Sequence, residues 1–169
     1  MKFVTINEIT KEEHLAFVEE FLNEGVGVTP YAAGLNGKSF EELVVVSNNY
    51  AKGILDNPEF VTTSTFYLLE GKRVLGAVNI RHYLNDYLLK HGGHVGYGVR
   101  KSERRKGYAT KLLEYSLEFL NELGVNRVLV TCDKDNPGSS KTILSCGGVL
   151  ENEILFDGNI TQRYWIEKK

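Results

Sequence analysis

The chain has 169 residues, 20 basic and 22 acidic side chains, a formal charge of −2, 42% hydrophobic residues and 25% charged residues. A chain of about 150 residues buries about 68–70% of its unfolded surface, so residues 1–169 suit one domain that needs neither metal nor disulfide. The near-balanced charge excludes the overall footprint of a general nucleic-acid binder, and the composition excludes disordered and fibrous classes.

The stretch Met1-Lys2-Phe3-Val4-Thr5-Ile6-Asn7 is too short and too interrupted for a signal-peptide core. The longest unbroken apolar run is four residues, as in Leu43-Val44-Val45-Val46, against the roughly 20 that a membrane helix needs. The two cysteines, Cys132 and Cys146, form no CxxC pair and no secreted framework. A soluble cytoplasmic protein with no membrane partner and no metal is the expectation, with both cysteines packed as small apolar residues.

Lys2–Ile6 reads as a short strand. Thr10-Lys11-Glu12-Glu13 is a capping box, and Leu15, Val18 and Leu22 then share a helical face. Ser39-Phe40-Glu41-Glu42 repeats that signature and opens a second helix ending before Pro58. Thr65–Leu69 and Val74–His82 form a hairpin around Glu70-Gly71-Lys72-Arg73. The second of these strands is apolar on both faces and belongs inside a covered sheet. The polar stretch Tyr83–Gly93 reads as a loop, followed by a strand over His94–Val99. Ala109, Leu112, Leu113, Leu117, Leu120 and Leu123 mark an amphipathic helix stopped by Gly124. Arg127–Cys132 is a strand, the loop at Asn136 leads into a short helix, and Val149–Phe156 with Ile160–Ile166 closes as a hairpin around Asp157-Gly158. This order predicts a mixed sheet with helices on both faces.

The chemistry concentrates in Val99-Arg100-Lys101-Ser102-Glu103-Arg104-Arg105-Lys106-Gly107-Tyr108-Ala109-Thr110, between a strand and a helix. Five cations stand here against one acid. The first amides of a helix lack internal partners and present partial positive charge, so cations added there invite an anion. Gly107 permits unusual backbone angles and Ala109 keeps the first turn low. The pattern reads as a phosphate cradle; the bland alternative is a solvated charged helix entry. A second motif, Gly34-Leu35-Asn36-Gly37-Lys38-Ser39, ends like a Walker A sequence, but Ala32 stands where its first glycine belongs. Ser39 is better explained as a helix cap. The basic loop also lacks an aromatic platform other than Tyr108, which disfavours a nucleic-acid partner.

Arg104-Arg105-Lys106-Gly107-Tyr108-Ala109 resembles the R/Q-x-x-G-x-G/A signature of the GNAT N-acetyltransferase superfamily, and the element order from Thr63 to Ile166 is similar to that fold. The resemblance implies an α+β (α/β) fold. Its sheet would be mixed and mostly antiparallel, of six to seven strands with helices on both faces, splayed between the strands at 94–99 and 127–132. It implies acetyl-CoA as co-substrate, with the backbone of Arg104, Arg105, Lys106, Gly107, Tyr108 and Ala109, and the adjoining Thr110, holding the pyrophosphate. Arg104 would orient the loop or contact a phosphate. The backbone of Val99 and Lys101 would pair with pantetheine, and Asn136 would contact it, with Ser140 and Lys141 beside it or serving only as a helix start. A small-molecule or peptide amine would be the acceptor, and a homodimer is compatible with the family.

Two family features are missing. Many members carry a Tyr seven residues after that Asn, where this chain has Ile143, and an acid on the strand before the phosphate loop, where this chain has Gly93-His94-Val95-Gly96-Tyr97. The candidate base is therefore His94, and Tyr97 is a candidate donor near the sulfur; Asp133 is another base candidate. Arg81–Tyr87 could wall an amine site, or be an ordinary strand end and loop. An acetyltransferase acting by direct attack in a ternary complex is the expected function, with an acyl-CoA-binding module of little or no turnover as the alternative.

Overall fold

The computed structural model describes residues 1–167. Seven strands fall into two sheets. The first holds β1 (Lys2–Val4), β2 (Thr63–Glu70), β3 (Arg73–Arg81) and β4 (Val95–Val99), in that spatial order; the second holds β5 (Arg127–Asp133), β7 (Asn159–Glu167) and β6 (Val149–Phe156), in that order. Every pairing within the two sheets is antiparallel. β3 is an inner strand, buried from Val74 to Ile80, as its two apolar faces require.

The two sheets touch at one isolated bridge, Gly93 to Val130. The His94 amide donates to the Leu129 carbonyl (2.8 Å), and the Gly92 amide donates to Thr131 Oγ1 (3.0 Å). Beyond this vertex β4 and β5 part, as the resemblance implies. Gly93 makes the vertex workable. It sits at φ +60°, and a Cβ there would collide with the Leu129 carbonyl.

Five α-helices cover the sheets: α1 (Lys11–Asn23), α2 (Phe40–Ala51), α3 (Asp86–Lys90), α4 (Tyr108–Glu122) and α5 (Pro137–Ser145). Capping boxes at Thr10 and Ser39 start α1 and α2 as the sequence predicts. One core lies under α1 and α2 and contains Phe17, Phe21, Leu43, Tyr67 and Ala77. The other lies under α4 and α5 and contains Val78, Val95, Leu112, Leu120, Val130 and Ile143. The helices are thus divided between the two faces.

Three local readings change. Leu15 and Leu22 are exposed; α1 instead buries His14, Phe17, Val18 and Phe21. The buried His14 made the true face look polar, but its Nε2 reaches the Ala33 carbonyl (2.8 Å). Tyr83–Gly93 is not a plain loop, because Asn85 accepts from the Leu88 amide (2.9 Å) and starts α3. Leu123 is exposed at the end of α4.

Gly93→Ala should lower the free energy of unfolding by about 2–3 kcal/mol, through forced φ and collision at the vertex. Gly124→Ala, also at positive φ but with nothing within 4 Å of the added carbon, should cost clearly less. Urea unfolding of both variants checks this ordering.

Candidate active site

The loop between β4 and α4 begins with a single 3-10 turn, Lys101–Glu103, and then turns sharply. Arg105 (φ 63°) and Gly107 (φ 82°) are both left-handed. α4 opens on Gly107 with no side-chain cap, whereas α1, α2, α3 and α5 are capped by Thr10, Ser39, Asn85 and Asn136. The amides of Arg105, Lys106, Gly107, Tyr108, Ala109 and Thr110 have no acceptor among the described residues; the first of α4 to bond is Lys111, to Gly107 (3.2 Å). Consecutive free amides with left-handed turns make an anion-binding concavity.

The five cations of this loop divide by role. Arg100 is buried and tied to α1: Nε donates to Glu20 (2.7 Å), Nη1 to the Val74 carbonyl (2.9 Å) and Nη2 to the Ala16 carbonyl (3.0 Å). Glu20 also accepts from the Ser102 amide (3.0 Å). Burial works against the Glu20 charge, but hydrogen bonds from Arg100 and Ser102 outweigh it and hold the carboxyl at about 2. Arg104 makes a two-pronged pair with Glu24 (2.8 Å to each oxygen) while its Nε donates to the Val99 carbonyl (3.0 Å). Arg104 thus ties the loop to the end of α1 and to the last residue of β4. Lys106 pairs with Glu103 (2.8 Å). Among the described residues only Lys101 and Arg105 of the five make no ion pair.

Beside this loop, β4 is a half-open edge. The Arg100 amide donates to the Leu75 carbonyl (3.0 Å), so by antiparallel alternation the amides and carbonyls of Tyr97 and Val99 face away from β3. The Val99 carbonyl meets Arg104, and Lys101 has already left strand geometry. Tyr97 and Val99 thus turn backbone groups toward the open edge, and Lys101 lies beyond the strand.

β4 also has two dissimilar faces. Val95, Tyr97 and Val99 look toward the α4–α5 core. Gly96 and Gly98 present no side chain on the opposite face, where the Thr29 backbone packs directly on Gly98 and the Arg81 guanidinium lies over Gly96. Tyr97 reaches across the splay, its hydroxyl 2.9 Å from Ser139 Oγ in the first turn of α5. Burial pushes this phenol up to about 12. Ile143, at the position of the missing family Tyr, is fully buried.

His94 is placed differently from what a base requires. It is 5% exposed, and its Nδ1 accepts the Leu129 amide at 2.9 Å. The neutral ring therefore carries its proton on Nε2, and its one lone pair is committed. Desolvation lowers His94 to about 4, although the Leu129 hydrogen bond and Arg81 also act on it. His94 pins the vertex of the two sheets. Asn136 Oδ1 accepts the Ser139 amide (3.1 Å), Ser140 Oγ donates to the Pro137 carbonyl (3.1 Å), and Lys141 is exposed; these three build and flank the start of α5. Arg81 belongs to the Arg81–Tyr87 stretch that reads as a possible amine-site wall, whereas His91, whose ring stacks on Phe156 (centroids 4.1 Å) beside the vertex, is picked out by no motif. The only sequence signal for them was the density of polar and aromatic residues between two strands.

Comparison with known proteins places the chain in a family. A family model described as "Acetyltransferase (GNAT) domain" matches residues 5–149. The chain is 26% identical over 162 residues to YjdG of Bacillus subtilis (strain 168), an uncharacterized N-acetyltransferase, covering 95% of this chain and 87% of that one. Among solved structures, Mycobacterium smegmatis RimJ in complex with CoA-disulfide is similar with TM-score 0.70 and 15% identity, over 98% of this chain and 80% of that chain. The spermidine N-acetyltransferase SpeG of Vibrio cholerae matches with TM-score 0.63 and 18% identity, over 99% and 95%.

His94 yields a pH prediction. Between its ordinary 6.5 and its folded value of about 4, the unfolded chain binds a proton that folded His94 refuses, so stability should fall as pH falls through that window. His14, His82 and His91 are lowered too and add with the same sign. His94→Asn, whose Oδ1 can replace Nδ1 as acceptor, should keep most of the stability at pH 7 and flatten the slope. His94→Leu strands the Leu129 amide and should cost about 1–3 kcal/mol. Urea midpoints measured from pH 7 to 4.5 check both.

Proposed function

This chain belongs to the GNAT acetyltransferase family, and from that premise we propose that it moves an acetyl group from acetyl-CoA to a primary amine by direct attack in a ternary complex. The observation that carries the reading is the run of six unpartnered amides from Arg105 to Thr110, beside the unpaired Arg105 and Lys101. These groups fit a diphosphate: the amides supply directed donors and the two cations supply charge.

The donor brings a thioester, whose carbonyl carbon accepts the amine and whose sulfur leaves as a thiolate. The open edge of β4 at Tyr97 and Val99 orients the donor chain along the splay. The acceptor approaches on the Gly96 side of the open β4 edge, beside Arg81, so that its nitrogen reaches the thioester carbonyl at that edge. Holding them there supplies most of the rate, because positioning removes the entropy cost of a bimolecular encounter.

Tyr97 steadies the leaving sulfur. At about 12 its phenol keeps its proton through the neutral range. Full transfer to a thiolate whose ordinary value is about 8.5 would run uphill, so Tyr97 acts as a hydrogen-bond donor. It takes over from strand β4 the place that Ile143 leaves unfilled on α5. His94 serves as a positioning residue that fixes the vertex, and the amine's proton passes to solvent or to a group on the acceptor side. The non-catalytic alternative, an acyl-CoA-binding module, predicts donor binding without thiol release.

Calorimetry with acetyl-CoA and a free-thiol assay across an amine panel test this reading. Arg105→Glu should weaken acetyl-CoA binding about 10- to 100-fold, the equivalent of one lost charge-assisted contact plus repulsion. Unchanged affinity would remove the diphosphate assignment. Tyr97→Phe should lower kcat about tenfold with little change in acetyl-CoA affinity; a wild-type kcat would retire Tyr97.

A further inference from the structure

Three arginines of this chain lie recessed in the protein, and they are not equivalent. Arg100 has Glu20, and Arg163 has Glu151. Arg81, at the end of β3, has no carboxylate within 4 Å among the described residues. Its Nη1 donates to the Gly92 carbonyl (3.1 Å) and more weakly to that of Gly93 (3.4 Å). Among the described residues its Nε and Nη2 meet no acceptor, and neither is sealed from solvent. The nearby acids Asp133 and Asp157 bear on His91 instead.

The location gives this spare charge its meaning. A Cβ on Gly96 would lie 3.4 Å from both Nη1 and Nη2 and 3.7 Å from Cζ, so the guanidinium lies against the bare face of β4. Toward the phosphate loop, Gly98 is covered by Thr29. Arg81, at the end of β3, therefore stands over the Gly96 end of β4, on the side from which the proposed amine would enter. Burial lowers it only to about 10, so it remains a cation at neutral pH. A recessed, unpaired guanidinium with two free donor nitrogens matches a planar anion, which it can bind in two-pronged fashion. It also repels a purely cationic acceptor.

We propose that Arg81 binds an anionic group, a carboxylate or a phosphate, carried by the amine acceptor. This deepens the transferase reading and rests on it for the identity of the second reactant. A simple brace for the turn before β4 would need only Nη1, and its loss would affect all acceptors alike.

The test uses matched acceptors that differ in one anion: serine, methionine and glutamate against their α-amides, and O-phosphoethanolamine against ethanolamine, with spermidine as a purely cationic amine. Thiol release gives kcat/KM for each, and calorimetry gives their binding to the protein with and without CoA. The anionic member of at least one pair should be favoured at least tenfold, and spermidine should be poor. Preference for the amino acids identifies a carboxylate, and preference for O-phosphoethanolamine a phosphate. Arg81→Gln should bring the favoured pair to within threefold while acetyl-CoA affinity stays unchanged, and Arg81→Lys should retain part of the preference. If Arg81→Gln does not fold, the wild-type ratios and the lysine variant decide.

Pairs that agree within threefold in the wild type, spermidine reacting as well as the best anionic amine, or a glutamine variant that keeps the preference would overturn the proposal. Failure of acetyl-CoA to bind would instead sink the transferase reading. In that case direct binding of the pairs still reports on Arg81.

Discussion

The single bridge between Gly93 and Val130 governs the rest of this molecule. Two sheets that paired along their whole length would leave no edge for a ligand. Two sheets that did not touch would leave the donor cleft without a fixed angle. The chain holds an intermediate condition with few contacts: one glycine that allows the approach, the His94 amide on the Leu129 carbonyl, and the His94 ring on the Leu129 amide. A backbone amide that finds no strand partner is satisfied by an imidazole, which avoids the cost of a buried unpaired donor. From there outward the open backbone of β4 becomes available, and every proposed role for Tyr97, Val99 and Arg81 follows from where that edge lies.

The phosphate loop shows a second economy. Its motif looks like a concentration of positive charge, yet Arg100, Arg104 and Lys106 are engaged by Glu20, Glu24 and Glu103. Their work is to shape the turn. In the proposed reading the anion is left to main-chain donors and to Lys101 and Arg105. Such a division is physically sensible, because fixed amides need no reorganisation when a charge arrives, whereas long flexible cations do.

The elements that bury a periodic apolar face could be read from the sequence. The α4 pattern, the β2–β3 hairpin and the capping boxes at Thr10 and Ser39 all depend on local spacing, and the structure contains them. The basic loop was legible as a strand-to-helix turn for the same reason. The readings that changed depend on partners far away in the sequence. His94 looked like a titratable group on a strand, and only the position of Leu129 shows that its lone pair is occupied. Leu15 and Leu22 looked like an inward face because His14 concealed the true one. The placing of Arg81 over Gly96 depends on strand register, which the alternation of side chains did not settle at the end of β3.

The links from Glu20 to Arg100 and Ser102, and from Glu24 to Arg104, span 80 to 82 positions of chain. α1 leaves the ribosome well before the residues it will clasp. Glu20 on α1 and Glu24 just past its end must wait, hydrated, while the first sheet is still being assembled. Contacts so remote are slow to close. The turn therefore cannot take its final shape until residues 100–104 have reached α1, and a chain halted before residue 100 has the helix without the turn it holds.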